Sequence, residues 1–233
     1  MHAIPGDDHY SSRRAILAIL LALSAAMVGV LPVFLVGALT TQLRDELNVG
    51  PFELGVAAAT LFGVTGILAR PLGRMVQRVG PFTGIAISAA VATMSLVIVS
   101  IAESFSTLIL ALCIGGIANG TAQPAANYSI SRSIGSRHLG LAFGVKQSSV
   151  PAANMLSGLA IPSVALLVGW RSAFALAAVL AVGIGLSALV SRRWEVPIRE
   201  AGTPLQDRGT PRVGLVVLTI GAGLAAAAAT AAG

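Results

Sequence analysis

The chain has 233 residues, of which 55% are hydrophobic and only 10% are charged, and its mean hydropathy is +0.86. Soluble domains carry about 25% charged residues, so a soluble fold of this length would lack the charge that covers a water-facing surface, and the lipid bilayer must cover this one. The net charge of +6 comes without a basic patch interleaved with aromatic residues, which argues against nucleic acid as a partner.

Apolar runs of helical length follow one another along most of the chain. They cover residues 15–39, 54–69, 83–102, 104–131, 139–169, 172–191 and 213–233. The hydrocarbon core of a bilayer needs about 20 helical residues, and these runs lack the alternating polarity of a membrane β-barrel. The sequence therefore predicts an all-α polytopic membrane protein with an N-terminal tail at 1–14. Its fifth run is long enough to tilt, or to bend at Pro151 and Pro162.

The first run could also be an export signal, because Arg13 and Arg14 precede it and small residues follow at 24–26. The apolar region of a signal spans only about 7–15 residues and introduces a soluble domain. This run is longer, and further apolar runs follow it. We therefore expect it to be the first membrane span.

The basic residues predict the orientation of the spans, because lysine and arginine are enriched in cytoplasmic loops. With the N-terminus inside, all 15 basic residues except Arg44 and Arg171 lie on the cytoplasmic side. The reverse orientation would place nearly all of them outside. Trp170 and Trp194 stand at opposite ends of the sixth run, where interfacial indoles are expected. We expect a protein of the cell membrane whose N-terminus is cytoplasmic.

The link between the second and third runs reads GRMVQRVG at residues 73–80. Gly73, Arg78 and Gly80 match the loop signature Gly-x-Leu-x-Asp-Arg-x-Gly of the major facilitator superfamily in type and spacing, and the chain therefore resembles that family. Gln77 stands where the family has an aspartate that helps to latch one conformational state by charge pairing, so it could hydrogen-bond there but not form an ion pair. The resemblance implies that these residues form a conformational-gating loop: Gly73, Gln77, Arg78 and Gly80.

The larger organisation is also similar to that family. The segment GVKQSSVP at 144–151 resembles a Gly-x-Lys-Gln-x-x-x-Pro pattern of some bacterial members. Six spans at 15–191 precede a cytoplasmic linker at 192–212 and a further apolar run at 213–233. Facilitator halves contain six spans, each half built from inverted three-span repeats, and Pro32 and Pro124 would be corresponding positions in such a repeat. The resemblance implies a six-helix bundle plus the start of a second bundle.

The function that this resemblance implies is secondary active transport of a small organic solute by alternating access, coupled to an ion. The partners would be the lipid bilayer, the small-molecule substrate and a second six-span half. The sequence ends at Gly233 inside an apolar run, which leaves other readings open: a fragment, a natural truncation, or one chain of a pair. A truncated, non-transporting remnant or a membrane-assembly subunit is the alternative function.

The fourth run carries three amide side chains at intervals of four residues, Asn119, Gln123 and Asn127, which places them on one helix face. Gly116 and Gly120 have the same spacing, which lets a neighbouring helix approach closely. Two interpretations of the amides remain open. They either bond adjacent helices or line the path of a substrate.

Lys146 is the only lysine in the chain and lies about two turns inside the fifth run. Burying an ammonium group in a bilayer costs about 2.5–3.5 kcal/mol on insertion scales, so its position requires a reason. Its side chain either extends to the cytoplasmic interface or, with Gln147 and Arg132, presents positive charge to an anionic substrate. Asn154, which stands where the pattern would have a glycine, completes the substrate-path candidates.

The remaining reactive residues argue against an enzyme. The three histidines fall in predicted tails or loops, and Cys113 is the only cysteine, so we expect neither a catalytic site nor a metal or other cofactor. No run contains an acidic residue at membrane depth. A carboxylate that couples transport to an ion would therefore be one of the rim residues, or would lie in a second half; the rim residues are Asp45, Glu46, Glu53 and Glu103.

Overall fold

The computed structural model describes residues 7–194, with the side chains of 15–193 apart from those of residues 136, 161 and 162. Within this part of the chain all regular structure is helical. The helices are α1 (Asp7–Ala38), α2 (Thr40–Leu47), α3 (Pro51–Val79), α4 (Pro81–Ser100), α5 (Phe105–Ser133), α6 (Leu139–Gln147), α7 (Ser149–Ala160), α8 (Leu166–Val168) and α9 (Trp170–Ser191). The last predicted span, 213–233, and all but the first three residues of the predicted linker lie outside the described residues.

Six helical segments in the described part are long and apolar enough to cross a bilayer, which confirms the all-α polytopic prediction. They are Ala15–Ala38, Pro51–Val79, Pro81–Ser100, Phe105–Ser133, Leu139–Val168 and Trp170–Ser191, numbered here as spans one to six. The fold differs from the prediction at the start, because α1 begins at Asp7 and includes half of the predicted tail.

The second span also differs from its prediction, because α3 continues to Val79 instead of ending near residue 69. The predicted link is therefore mostly helix, and Arg70, Arg74 and Arg78 are exposed along its last turns. A helix of 29 residues is about 43 Å long at 1.5 Å per residue. The hydrocarbon core is only about 30 Å thick, so arginines mark where the helix leaves the core and not where it ends.

A single glycine joins spans two and three, and another joins spans five and six. Gly80 has φ 90° and ψ 160°, and Gly169 has φ 93° and ψ 156°. Residues with a Cβ rarely adopt this conformation, which explains why glycine occupies both positions. The two connections therefore have the same length and nearly the same backbone angles, a similarity that the sequence alone did not reveal.

The fifth span is interrupted twice, once three residues before Pro151 and once at Pro162. α6 ends at Gln147, and the Ser148 N–H is shared between the carbonyls of Gly144, at 3.3 Å, and Val145, at 3.2 Å. Pro151, just beyond, has no N–H to donate to the preceding turn. The second interruption is a π-helical turn, Ile161–Ala165, of which Pro162 is the second residue.

α5 is the central helix of the bundle and packs against α1, α3 and α4, while α9 packs mainly on α4. Glycine permits the closest of these contacts. A Cβ at Gly116 would lie 2.6 Å from the Leu61 carbonyl oxygen on α3, and a Cβ at Gly29 would lie 3.1 Å from the Asn119 Cα. Spans two and five are the least buried of the six.

At the end of the bundle opposite Arg70, Arg74 and Arg78, a carboxylate joins helices that are distant in sequence. Glu46 on α2 accepts hydrogen bonds from the Trp170 indole N–H and the Arg171 guanidinium. Arg171 also donates to the Ala102 carbonyl at 2.8 Å, and its guanidinium carbon lies 4.4 Å from the Trp170 ring centroid. We call Glu46, Ala102, Trp170 and Arg171 the Glu46 clamp.

Candidate functional site

A chain of polar side chains crosses the middle of the bundle and joins spans two, four and five. The Lys146 Nζ donates to Gln123 Oε1 at 2.5 Å. Gln123 Nε2 donates to Asn119 Oδ1 at 3.3 Å, and Asn119 Nδ2 donates to Thr65 Oγ1 at 3.2 Å. We call these four side chains the polar relay.

The relay ends on backbone carbonyl groups. Thr65 Oγ1 lies 2.9 Å from the Leu61 carbonyl oxygen on its own helix and 3.0 Å from the Gly116 carbonyl oxygen on α5. Every polar side chain of the relay therefore has a hydrogen-bond partner. That condition matters in hydrocarbon, where an unpaired polar group is costly.

The relay lies at membrane depth. Thr65 and Asn119 are the middle residues of α3 and α5, about 21 Å along the helix axis from their ends nearest the arginines. Lys146 is about 10 Å from the start of span five at Leu139. Sites in secondary transporters lie near this depth, between the repeats.

Lys146 points into the bundle, because only 5% of its surface is exposed and its ammonium group contacts Gln123. A lysine extending to the interface would keep its charged end in water, so that interpretation does not match the geometry. The one ion pair among the described residues is Arg171–Glu46. Within the described part of the chain, the charge of Lys146 therefore has a neutral amide partner and no carboxylate.

A buried hydroxyl group accompanies Lys146 on span five. Ser149 is 1% exposed, and its Oγ has no hydrogen-bond partner among the described residues. It follows Lys146 by three residues, across the break between α6 and α7. Sequence reasoning missed Ser149, because a serine beside other serines in a mixed segment carries no distinctive signal.

The structure brings only some of the predicted substrate-path residues together. Asn119, Gln123 and Lys146 form the relay, whereas three other candidates are exposed and take no part in it: Asn127, Gln147 and Asn154. Arg132 is nine residues beyond Gln123, about 13 Å along α5, and its guanidinium carbon lies 4.8 Å from the Tyr128 ring centroid. The grouping of Lys146 with Arg132 stays a prediction, because the hydrogen bond of Lys146 goes to Gln123 and not to Arg132.

The predicted gating residues lie at the C-terminal end of α3. Gln77 and Arg78 are exposed. A Cβ at Gly73 would lie 3.9 Å from the Pro124 Cβ on α5, so this glycine faces span four. Gly80 is buried and forms the one-residue connection to α4. A gating role for these four residues stays a prediction.

Metal binding has no support in the described residues, which contain no group of three or more histidine, cysteine, aspartate or glutamate side chains able to hold an ion. The polar relay is instead suited to hydrogen bonding and charge recognition. Its ammonium group can donate hydrogen bonds to an anion.

Comparison with protein families gives a match over most of the chain. A family model described as Major Facilitator Superfamily matches residues 14–233. The match includes all six described spans and the glycine and arginine pattern at 73–80. No curated protein matches the chain.

Proposed function

The chain belongs to the Major Facilitator Superfamily, so it is a multi-pass membrane transporter, and from this premise we propose that it carries a small organic anion by secondary active transport. The proposed substrate class is a carboxylate that binds at Lys146, inside the membrane. We further propose that it acts in the cell membrane by alternating access, with a second six-span bundle as its partner.

The observation that carries the substrate proposal is the unbalanced charge of Lys146. Its ammonium group has three N–H donors, of which Gln123 accepts one. An isolated charge in hydrocarbon is costly, and a substrate carboxylate would supply both the missing negative charge and two acceptor oxygens. The buried Ser149 hydroxyl, which has no hydrogen-bond partner among the described residues, offers a further donor on span five.

The proposed partner bundle is supported by the uneven burial of the spans. Spans two and five are the least buried in the described part of the chain, although they carry Thr65 and Lys146. A second bundle against these spans would enclose the relay between two halves, as the midplane site of a rocking transporter requires.

Ion coupling remains part of the proposal without an assigned residue. The carboxylates with described side chains lie at the end of the bundle opposite the arginines, for example Glu46 and Glu53. A coupling carboxylate would be one of these groups or would lie outside the described residues.

Uptake of radiolabelled acetate, lactate, benzoate and succinate into proteoliposomes that contain both the described bundle and its partner bundle tests the proposal. Lys146→Met should raise the KM for the transported carboxylate about tenfold or more, because a hydrogen bond to a charged group contributes about 1.5–3 kcal/mol. Lys146→Arg should retain more affinity than Lys146→Met, and Arg70→Met, at an exposed arginine, serves as the control. An unchanged KM in Lys146→Met, or wild-type protein that transports none of the four anions, contradicts the proposal.

A further inference from the structure

We propose that Thr65 and Asn119 are positioning residues that fix the direction of the polar relay and so hold the Lys146 ammonium group in its buried position. The inference deepens the proposed function, and its consequence for substrate binding rests on that function. Neither residue touches Lys146 directly. Both act through the Gln123 amide.

The direction of the relay is determined at its Lys146 end. An ammonium group donates hydrogen bonds and accepts none, so Gln123 must turn its oxygen toward Lys146. Its NH₂ group then faces Asn119, which must in turn present its own oxygen. The observed contacts follow this order, with Gln123 Nε2 3.3 Å from Asn119 Oδ1.

The far end of the relay determines the same direction independently. The Asn119 NH₂ group meets Thr65 Oγ1, an oxygen that accepts this hydrogen bond at 3.2 Å. The Thr65 proton is free to point at a carbonyl, because the Leu61 and Gly116 oxygens both lie within 3.0 Å. A carbonyl only accepts, so Thr65 donates there and accepts from Asn119.

Removing the Thr65 hydroxyl would leave the Asn119 amide without its acceptor. The amide could then turn over, and its NH₂ group would face the NH₂ group of Gln123. Gln123 would have to turn as well, and would present hydrogens to Lys146. The ammonium group would lose its acceptor although no residue in contact with it had changed.

This arrangement has a consequence for the substrate. With Gln123 fixed, one N–H of Lys146 is occupied and the other two keep defined directions, which suits the two oxygens of a carboxylate. Binding then requires no reorientation of the ammonium group, so less free energy is lost on association. A serine at position 65 would preserve this function, because it keeps the hydroxyl group.

The single lysine makes the test independent of any substrate. An amine-specific reagent applied to the full chain in detergent labels Lys146 and the N-terminal amine, and mass spectrometry of the peptide that contains Lys146 gives its rate of modification. Thr65→Val should raise this rate about fivefold, the factor for loss of one buried hydrogen bond. Thr65→Ser should restore the wild-type rate.

Matched variants separate positioning from general destabilisation. Thr60→Val removes a hydroxyl on the same helix that bonds only the Val56 carbonyl, at 2.8 Å, and should leave the rate unchanged. Asn119→Ala should raise the rate as Thr65→Val does, and the double variant should show no further increase. The inference is overturned if Thr65→Val reacts at the wild-type rate, or if Thr65→Ser or Thr60→Val reacts as fast as Thr65→Val.

The labelling and uptake measurements can contradict the positioning role and the anion site independently of each other. Faster labelling of Thr65→Val with no effect of Lys146→Met on the KM would support the positioning role and contradict the anion site. A raised KM in Lys146→Met with unchanged labelling in Thr65→Val would support the anion site and overturn the positioning role.

Discussion

In the Glu46 clamp, the Glu46 carboxylate accepts hydrogen bonds from both Trp170 and Arg171. The hydrogen bond from the Trp170 indole is the main cause that lowers the pKa of Glu46 below its ordinary value, followed by the hydrogen bond from Arg171. A lowered pKa in the folded state means that the contact stabilises the fold above the unfolded-state pKa. That stabilisation is lost as the pH falls through the folded-state pKa. Because the side chain is 47% exposed, solvent screens the effect and keeps it small.

We expect acidification to change the surroundings of Trp170 at a pH below the ordinary pKa of glutamate, because the hydrogen bonds from Trp170 and Arg171 lower the pKa of Glu46 in the folded protein. The measurement is tryptophan fluorescence of the purified protein in a Trp194→Phe background, which leaves Trp170 as its only indole. Glu46→Gln should lack the transition, because the amide does not titrate. An identical transition in Glu46→Gln would assign the change to another group.

Sequence could predict part of the polar relay at the residue scale. The amides of span four and the lone lysine stand out in apolar runs, and their cost in hydrocarbon identifies Asn119, Gln123 and Lys146 as candidates. Thr65 carries no such signal, because a threonine hydroxyl in any helix can donate a hydrogen bond to the carbonyl four residues earlier. Its role depends on Asn119, 54 positions away in the chain, and on how closely α3 and α5 pack.

At the scale of helices, small residues determine where α3 and α5 meet. The spacing of Gly116 and Gly120 predicts a close approach, and the structure agrees, because both glycines face α3. A Cβ at Gly116 would meet the Leu61 carbonyl oxygen at 2.6 Å, whereas one at Gly120 would meet the flexible end of Leu72 at 2.9 Å. Backbone cannot move aside as a side chain can, so Gly116 is the more restrictive position.

Gly116→Ala should destabilise the protein by about 1–3 kcal/mol, the usual cost of overpacking a close contact. Gly66→Ala is the matched control, because it adds the same methyl group to α3 where no atom lies within 4 Å. Thermal unfolding in detergent should show a lower midpoint for Gly116→Ala only. Equal midpoints for the two variants would contradict this account of the α3–α5 contact.

The six spans in the described part of the chain were predictable because each must cross hydrocarbon, so composition alone marks them. Their ends were less predictable. Arginine at 70 indicates where α3 leaves the hydrocarbon, but the helix can continue in water until Gly80 interrupts it. The similarity between Gly80 and Gly169 could not be predicted from the sequence. It consists in their backbone angles, and the residues around the two glycines differ.

For the whole molecule, the positive-inside pattern predicts that the arginine end of the bundle faces the cytoplasm. The six antiparallel spans place Arg74 at that end and Glu103 at the other, and both side chains are exposed. The orientation of the bundle can therefore be determined by testing whether a reagent outside the cell reaches position 74 or position 103.

Labelling of introduced cysteines makes this test. In a Cys113→Ser background, which removes the one native thiol, a membrane-impermeant maleimide should label Glu103→Cys in intact cells. It should label Arg74→Cys only after the membrane is permeabilised. Labelling of Arg74→Cys from outside, with protection of Glu103→Cys, would reverse the orientation.

Gly80 and Gly169 also limit how the bundle can deform. One residue reaches at most about 3.6 Å, less than a single helical turn, so span two has almost no freedom to slide past span three along the membrane normal. The same holds for spans five and six. Each pair can pivot about its glycine but must travel up or down together, so any piston-like displacement within this bundle moves span one, span four or a whole pair.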